Sequence, residues 1–260
     1  MESLSTILLG AIQGATEFLP VSSSAHLVIA QAVLQVQSPG LLMEIVLHLG
    51  TLVSILIYFR RDLWRLIIGF FQVGSDGAES RREIGYLGLA TLPAIGIALG
   101  FSEPVEAAFE NVTFTGLMLL VTTLVLLSTR WTVPREEAGL SWVVALIMGL
   151  AQSLAILPGI SRSGITIAAG LCMGLGGVAA ARFAFFMAIP AILGAGVFKL
   201  LDLAGGGASE AIPGLIWGFL SAALVGYGVI IWLMNIIRRG RLHVFAGYTL
   251  LIGLVVIFWM

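Results

Sequence analysis

Charge is what this chain most lacks. Only 10% of its 260 residues are Asp, Glu, Lys or Arg, while 59% are hydrophobic. Soluble domains carry about a quarter charged residues, so this chain has too few solvated groups to cover a surface facing water. A mean hydropathy of +1.06 agrees. The composition therefore predicts an all-α integral membrane protein, one membrane domain over residues 1–260.

Other absences narrow the reading. Cys172 is the only cysteine, so no internal disulfide forms, and its apolar neighbours predict a packing role. No block of basic residues points to nucleic acid, and a net charge of −1 says nothing about partners. The N-terminus has no basic n-region and no A-x-A-like cleavage site, so it reads as mature protein. Glycine, by contrast, is abundant at 32 residues. That suits close helix packing in lipid and permits a homodimer.

A helix needs about 20 apolar residues to span the hydrocarbon. Six runs approach that length, near 41–59, 84–101, 112–130, 178–201, 211–237 and 243–259. Two further stretches are too short and look like copies of each other. The first runs from Gly10 through Gln13, Glu17, Pro20, Ser22, Ser23 and Ser24 to His26; the second runs from Gly149 through Gln152, Pro158, Ser161, Arg162 and Ser163 to Gly164. Gln13 precedes Ser22 by nine residues, and Gln152 precedes Ser161 by nine. A helix over 4–18 would be only about 22 Å long. Pro20 ends it and a second short helix follows over 23–36; 140–157 and 162–174 repeat the pattern around Pro158. Each pair predicts a re-entrant helical hairpin, tolerated at membrane depth only where it lines an enclosed cavity.

Charge placement orients the spans. Arg60, Arg61, Arg65, Arg81 and Arg82 follow the first span, Arg130 and Arg135 the third, and Arg238, Arg239 and Arg241 the fifth. Alternate loops are thus basic and face the cytoplasm, which puts both termini outside. The opposite loops hold Glu103, Glu106 and Glu110, or Asp202 and Glu210 near Lys199. Halves of about 1–130 and 140–260 each hold one hairpin and three spans, joined by a polar linker over 131–140. Three is odd, so the second half is inverted, and the natural site of such a repeat lies at the midplane between the halves.

The chemistry gathers at the two hairpin tips. Ser22 and Ser161 stand where the second helices begin, and serine is a strong N-cap. Two helix N-termini facing one cavity favour an anion such as phosphate. Arg162 adds a bidentate fork for phosphate oxygens, and Glu17 and His26 sit on the other tip. The bland alternative makes Glu17 and Arg162 a structural ion pair and His26 a helix cap. That accounts poorly for Glu, His, Arg and three serines at two matched breaks, because intramembrane charge is costly. Elsewhere, Glu44 and His48 are spaced i,i+4, which predicts a local hydrogen-bonded pair first and a role at the site mouth second. Arg182 is expected to snorkel at the cytoplasmic side. Asn111-Val-Thr113 matches a glycosylation sequon by chance.

These stretches resemble the undecaprenyl-diphosphate phosphatase family, the bacitracin-resistance membrane phosphatases. Gln13-Gly-Ala-Thr-Glu17-Phe-Leu-Pro20-Val-Ser-Ser-Ser-Ala-His26 resembles the first motif of that family, and Leu157-Pro-Gly-Ile-Ser-Arg-Ser-Gly-Ile-Thr166 the second. Glu44-Ile-Val-Leu-His-Leu-Gly-Thr-Leu and Phe185-Phe-Met-Ala-Ile-Pro190 are similar too. The resemblance implies a bacterial inner-membrane enzyme that removes the terminal phosphate of a C55 polyprenyl diphosphate. It puts Glu17, Ser23, His26 and Arg162 at catalytic positions. Gln13, Ser22, Ser24, Ser161, Ser163 and Thr166 are candidate substrate-binding groups. It also implies a divalent cation, Mg or Ca, with Glu17 the candidate ligand. Gln13 stands where many members carry Glu, so this chain has one carboxylate fewer.

Ser23 is the first candidate nucleophile. His26, one helical turn on, is expected to share its face and to act as base, as acid for the leaving group, or as the nucleophile itself. Glu17 has three open roles: orienting His26, holding a metal, or taking the proton. The main rival reading is a transporter or flippase of the lipid, since inverted repeats with broken helices are transporter architecture. A different lipid-phosphatase motif, Ser-Arg-x5-His-x3-Asp, fails because Ala168 and Cys172 occupy the His and Asp positions. A non-catalytic membrane subunit leaves the polar tips unexplained.

Overall fold

A computed structural model describes residues 2–34, 40–134, 139–204 and 214–259. Arg135 in the linker and Glu210 lie outside the described residues. In chain order the α-helices are α1 (Glu2–Phe18), α2 (Ser23–Leu34), α3 (Gly40–Tyr58), α4 (Arg60–Phe71), α5 (Ser75–Gly100) and α6 (Ser102–Glu110). They continue with α7 (Val112–Ser128), α8 (Trp142–Leu154), α9 (Arg162–Cys172), α10 (Gly177–Ala204), α11 (Leu215–Arg238) and α12 (Phe245–Trp259). No strand occurs among the described residues.

Both proline breaks interrupt helix where the sequence predicts. α1 and α2 flank a turn over residues 19–22, and α8 and α9 flank one over 155–161. Each of the six apolar runs coincides with a helix, but four meet the length and apolarity of a span: Ser75–Gly100, Val112–Trp131, Gly177–Val197 and Leu215–Arg238. Leu42–Tyr58 with Arg60–Phe71 makes a fifth if the pair, bent by 76°, is one span. The last run forms the shorter apolar helix Leu242–Phe258.

The segment after the first run is helical rather than a loop. Arg60, Arg61 and Asp62 open α4, which buries Leu66 and Gly69 and exposes Trp64, Phe70 and Phe71. α5 starts earlier than its apolar core requires because α4 holds its first turns. The Arg81 guanidinium donates to the carbonyls of Phe70 and Gln72. Arg182 has specific partners. It reaches Glu83 at 2.7 Å and Asp62 at 3.5 Å and lies over the Phe186 ring, tying α10 to α4 and α5. Cys172 is exposed rather than packed, because α9 ends there. Asn111 accepts from the Phe114 amide as the N-cap of α7, which gives that residue a structural role.

Two glycines let the short helices approach their neighbours. A Cβ on Gly10 of α1 would stand 2.3 Å from the Gly218 carbonyl oxygen of α11. A Cβ on Gly149 of α8 would stand 2.5 Å from the Ala90 carbonyl oxygen of α5. Backbones in such contact are held by dispersion rather than by hydrophobic transfer, the expected mode within lipid. One apolar core, including Phe18, Phe59, Phe185 and Phe186, packs the helices together.

Candidate active site

The two tips meet. Ser163 at the start of α9 donates its hydroxyl to the Leu19 carbonyl of the first tip at 3.0 Å. A Cβ on Gly164 would sit 3.2 Å from the Pro20 ring, so the tips are in van der Waals contact there. Locally the tips match. The Ser22 and Ser24 hydroxyls are 3.1 Å apart, and those of Ser161 and Ser163 3.3 Å apart. Ser161 caps α9 by accepting from the Gly164 amide at 3.2 Å. Ser22 precedes α2 in the left-handed region, at φ 68°, the one non-glycine residue there among the described residues. That conformation costs an L-residue about 1 kcal/mol, so neighbouring contacts must hold it.

Glu17 is the hub, and its carboxylate is buried. Oε1 accepts from Arg162 Nη2 of the opposite hairpin. Oε2 accepts from the Ser23 hydroxyl at 2.7 Å and from the Gln13 amide at 2.9 Å. His48 Nε2 lies 3.8 Å from the same oxygen. Arg162 also reaches the Ala188 carbonyl at 3.5 Å. The buried Gln13 Oε1 has no partner.

Glu17, Ser23, His48 and Arg162 face a cavity of about 280 Å³. Its polar end is made by Thr16, Glu17, Ser22, Ser23, Ser24, His48, Ser161 and Arg162. Its other walls are apolar: Ile45 and Leu49 of α3, Phe109 of α6, Ile156 and Ile160 of the second hairpin, and Ile192, Ala195 and Gly196 of α10. A hydroxyl, a carboxylate and a guanidinium thus adjoin a slot suited to hydrocarbon.

Four expected members do not line this cavity, and Gln13, spent on the Glu17 carboxylate, is one. Thr166 is spent within α9, on the Arg162 and Ser163 carbonyls. Ser163 joins the tips. His26 turns away: its Nδ1 is 2.8 Å from the Ser22 carbonyl, and its Nε2 is 2.7 Å from the Tyr248 hydroxyl of α12. Ser23 directs its hydroxyl to Glu17 rather than to His26. His48 lines the cavity while its Nδ1 bonds the Glu44 backbone carbonyl at 2.7 Å. A histidine inside an apolar run was the sequence signal for it; Tyr248 carried none. Among the described residues, no three of His, Cys, Asp and Glu cluster as a metal site.

The family described as Bacitracin resistance protein BacA matches residues 6–255. A curated undecaprenyl-diphosphatase of Syntrophotalea carbinolica is 44% identical over 256 residues, covering 97% of each chain. One of Methanosphaera stadtmanae is 39% identical over 276 aligned residues, 99% of this chain and 98% of that one. One of Moorella thermoacetica is 38% identical over 267, all of this chain and 99% of that one. With matched tips, a shared polar cavity and similarity along the whole chain, this protein belongs to the BacA family of bacitracin resistance proteins.

Proposed function

We propose that this chain is a membrane undecaprenyl-diphosphatase, hydrolysing the terminal phosphoanhydride of a polyprenyl diphosphate to the monophosphate and phosphate. One observation carries the reading: Ser23 and Arg162, from opposite hairpins, both bond Glu17 at the polar end of an apolar-walled cavity. The names of its relatives support the substrate. The lipid lies along Ile45, Leu49, Phe109 and Ile192, with its diphosphate at the tips.

In this reading Glu17 takes the Ser23 proton along the 2.7 Å hydrogen bond. The Ser23 oxygen attacks the terminal phosphorus, the bond from phosphorus to the bridging oxygen breaks, and polyprenyl monophosphate leaves. Arg162 shares its fork with the phosphoryl oxygens as charge spreads. Water then cleaves the phosphoserine, and the proton returns to Ser23. Ser22, Ser24 and Ser161 line the headgroup end. A divalent cation, Mg or Ca, would bind through the carboxylate oxygens of Glu17 and the unpartnered Gln13 Oε1, and would offset repulsion between carboxylate and phosphate.

The finer architecture belongs to the same proposal: six spans, two re-entrant hairpins and an inverted repeat of about 1–130 and 140–260, with both termini outside an inner membrane. Support comes from Gly10 and Gly149, Gln13 and Gln152, and Ser22 and Ser161, each pair 139 residues apart. The packing of α1 on α11 and of α8 on α5 supports it as well. A homodimer is compatible with the glycine content. Purified protein in detergent should release phosphate from polyprenyl diphosphate without any ion gradient. Binding without release would favour the flippase reading.

A further inference from the structure

Two residues outside the cavity grip the turns that form it. In α7, the Thr122 hydroxyl donates to the Gly159 carbonyl at 2.9 Å and accepts from the Ser161 amide at 3.0 Å. One side chain thus bridges the turn of the second hairpin. The first turn is held from α12. The Ser22 carbonyl accepts from the His26 amide at 3.3 Å and from His26 Nδ1 at 2.8 Å. A carbonyl can only accept, so Nδ1 carries the hydrogen and a neutral ring offers a lone pair at Nε2. The Tyr248 hydroxyl fills it at 2.7 Å, with the two rings stacked at 5.5 Å and 11°.

The next residue on each helix closes the arrangement. Thr123 and Thr249, both buried, share a hydrogen bond of 2.8 Å between α7 and α12. Thr122 and Tyr248 therefore each stand one residue before a partner in one central bond. Thr122 grips the turn of the other half directly, and Tyr248 grips that of its opposite half through His26.

We propose that Thr122 and Tyr248 are equivalent arms of a crossed clasp, joined through Thr123 and Thr249, that sets the two hairpin turns against each other. His26 is then a positioning residue of the clasp, acting through Ser22, and does not carry the Ser23 proton. Both of its ring nitrogens are engaged away from the cavity. The residue it holds is the left-handed Ser22, directly before Ser23, whose hydroxyl must meet Glu17. The second turn needs no such histidine: Ile165 stands four residues after Ser161, and Thr122 supplies the grip.

The structural arm of the test does not depend on activity. Hydrogen exchange would be followed on the full-length chain in detergent for Tyr248→Phe and Thr122→Val. Tyr248→Phe should speed exchange about tenfold at amides 22–26 and spare 159–165, and Thr122→Val should do the reverse. Uniform loosening, or no change at either turn, overturns the clasp.

The kinetic arm rests on the phosphatase reading. His26→Ala should lower kcat about a hundredfold with a smaller change in KM. His26→Asn, which returns an amide N–H near the Nδ1 position but no titrating ring, should recover at least about tenfold of that loss. Equal losses in the two variants overturn the positioning role. Wild-type protein that releases no phosphate overturns the phosphatase reading, and the exchange pattern still decides the clasp.

Discussion

Arg162 donates to Glu17 across 145 residues of sequence, joining the second hairpin to the first at the head of the cavity. The pair is more than a strut, because the Glu17 carboxylate also holds the Ser23 hydroxyl. Position and chemistry therefore share one side chain, and substitutions can separate them.

Arg162→Ala leaves the Glu17 carboxylate buried without its cation. Such a loss costs about 3 kcal/mol of stability and should lower turnover by about 100- to 1,000-fold. Adding Glu17→Gln should restore most of the stability and none of the turnover. Thermal denaturation in detergent beside phosphate release checks both halves. Near-normal turnover of the single variant removes Arg162 from the chemistry.

Ser23→Ala deletes the attacking oxygen and leaves the anion site in place. Its kcat should fall by at least about a thousandfold with little change in KM. Acid quenching of the wild type should trap a phosphoserine at position 23. Phosphohistidine at position 26 would overturn both the nucleophile assignment and the positioning role of His26.

Gln13→Glu places a second carboxylate one turn before Glu17, where the unpartnered amide oxygen now sits. Extra ligand charge tightens hard-cation binding. The Mg²⁺ concentration for half-maximal phosphate release should drop by about tenfold, and Mn²⁺ binding followed by electron paramagnetic resonance should tighten in parallel. An unchanged requirement would separate the cation from this pair.

Gly10→Ala and Gly149→Ala drive a methyl into backbone at 2.3 Å and 2.5 Å, so α1 must leave α11 and α8 must leave α5. Each should cost at least about 2 kcal/mol. Gly228→Ala is the control, since a methyl there meets nothing within 4 Å and helix propensity favours alanine by about 1 kcal/mol. Melting temperatures of the three variants should rank accordingly.

Much of this was legible in the residues. Proline breaks, serine caps and an apolar composition act locally, so α1 and α2, and α8 and α9, fall near their expected places. The convergence of Glu17, Ser23 and Arg162 was legible too, because buried charge in lipid must find a partner and the copied stretches offered few. Helix in α4 was not: its apolar face pairs with α5, and no local rule announces a neighbour. The direction of His26 was not legible either. Helical spacing puts Ser23 and His26 on related faces, but the Tyr248 hydroxyl, 222 residues away, claims the ring.

The chain by itself determined that it lives in lipid, where its helices break and which polar groups must be satisfied, because burial energetics and backbone sterics depend on residue type and near neighbours. Only the tertiary structure decided which partner satisfies each group. Glu17 took Arg162 and Ser23, and His26 took Tyr248, because a side chain's final hydrogen bond depends on what the packing of distant helices brings within 3 Å of it.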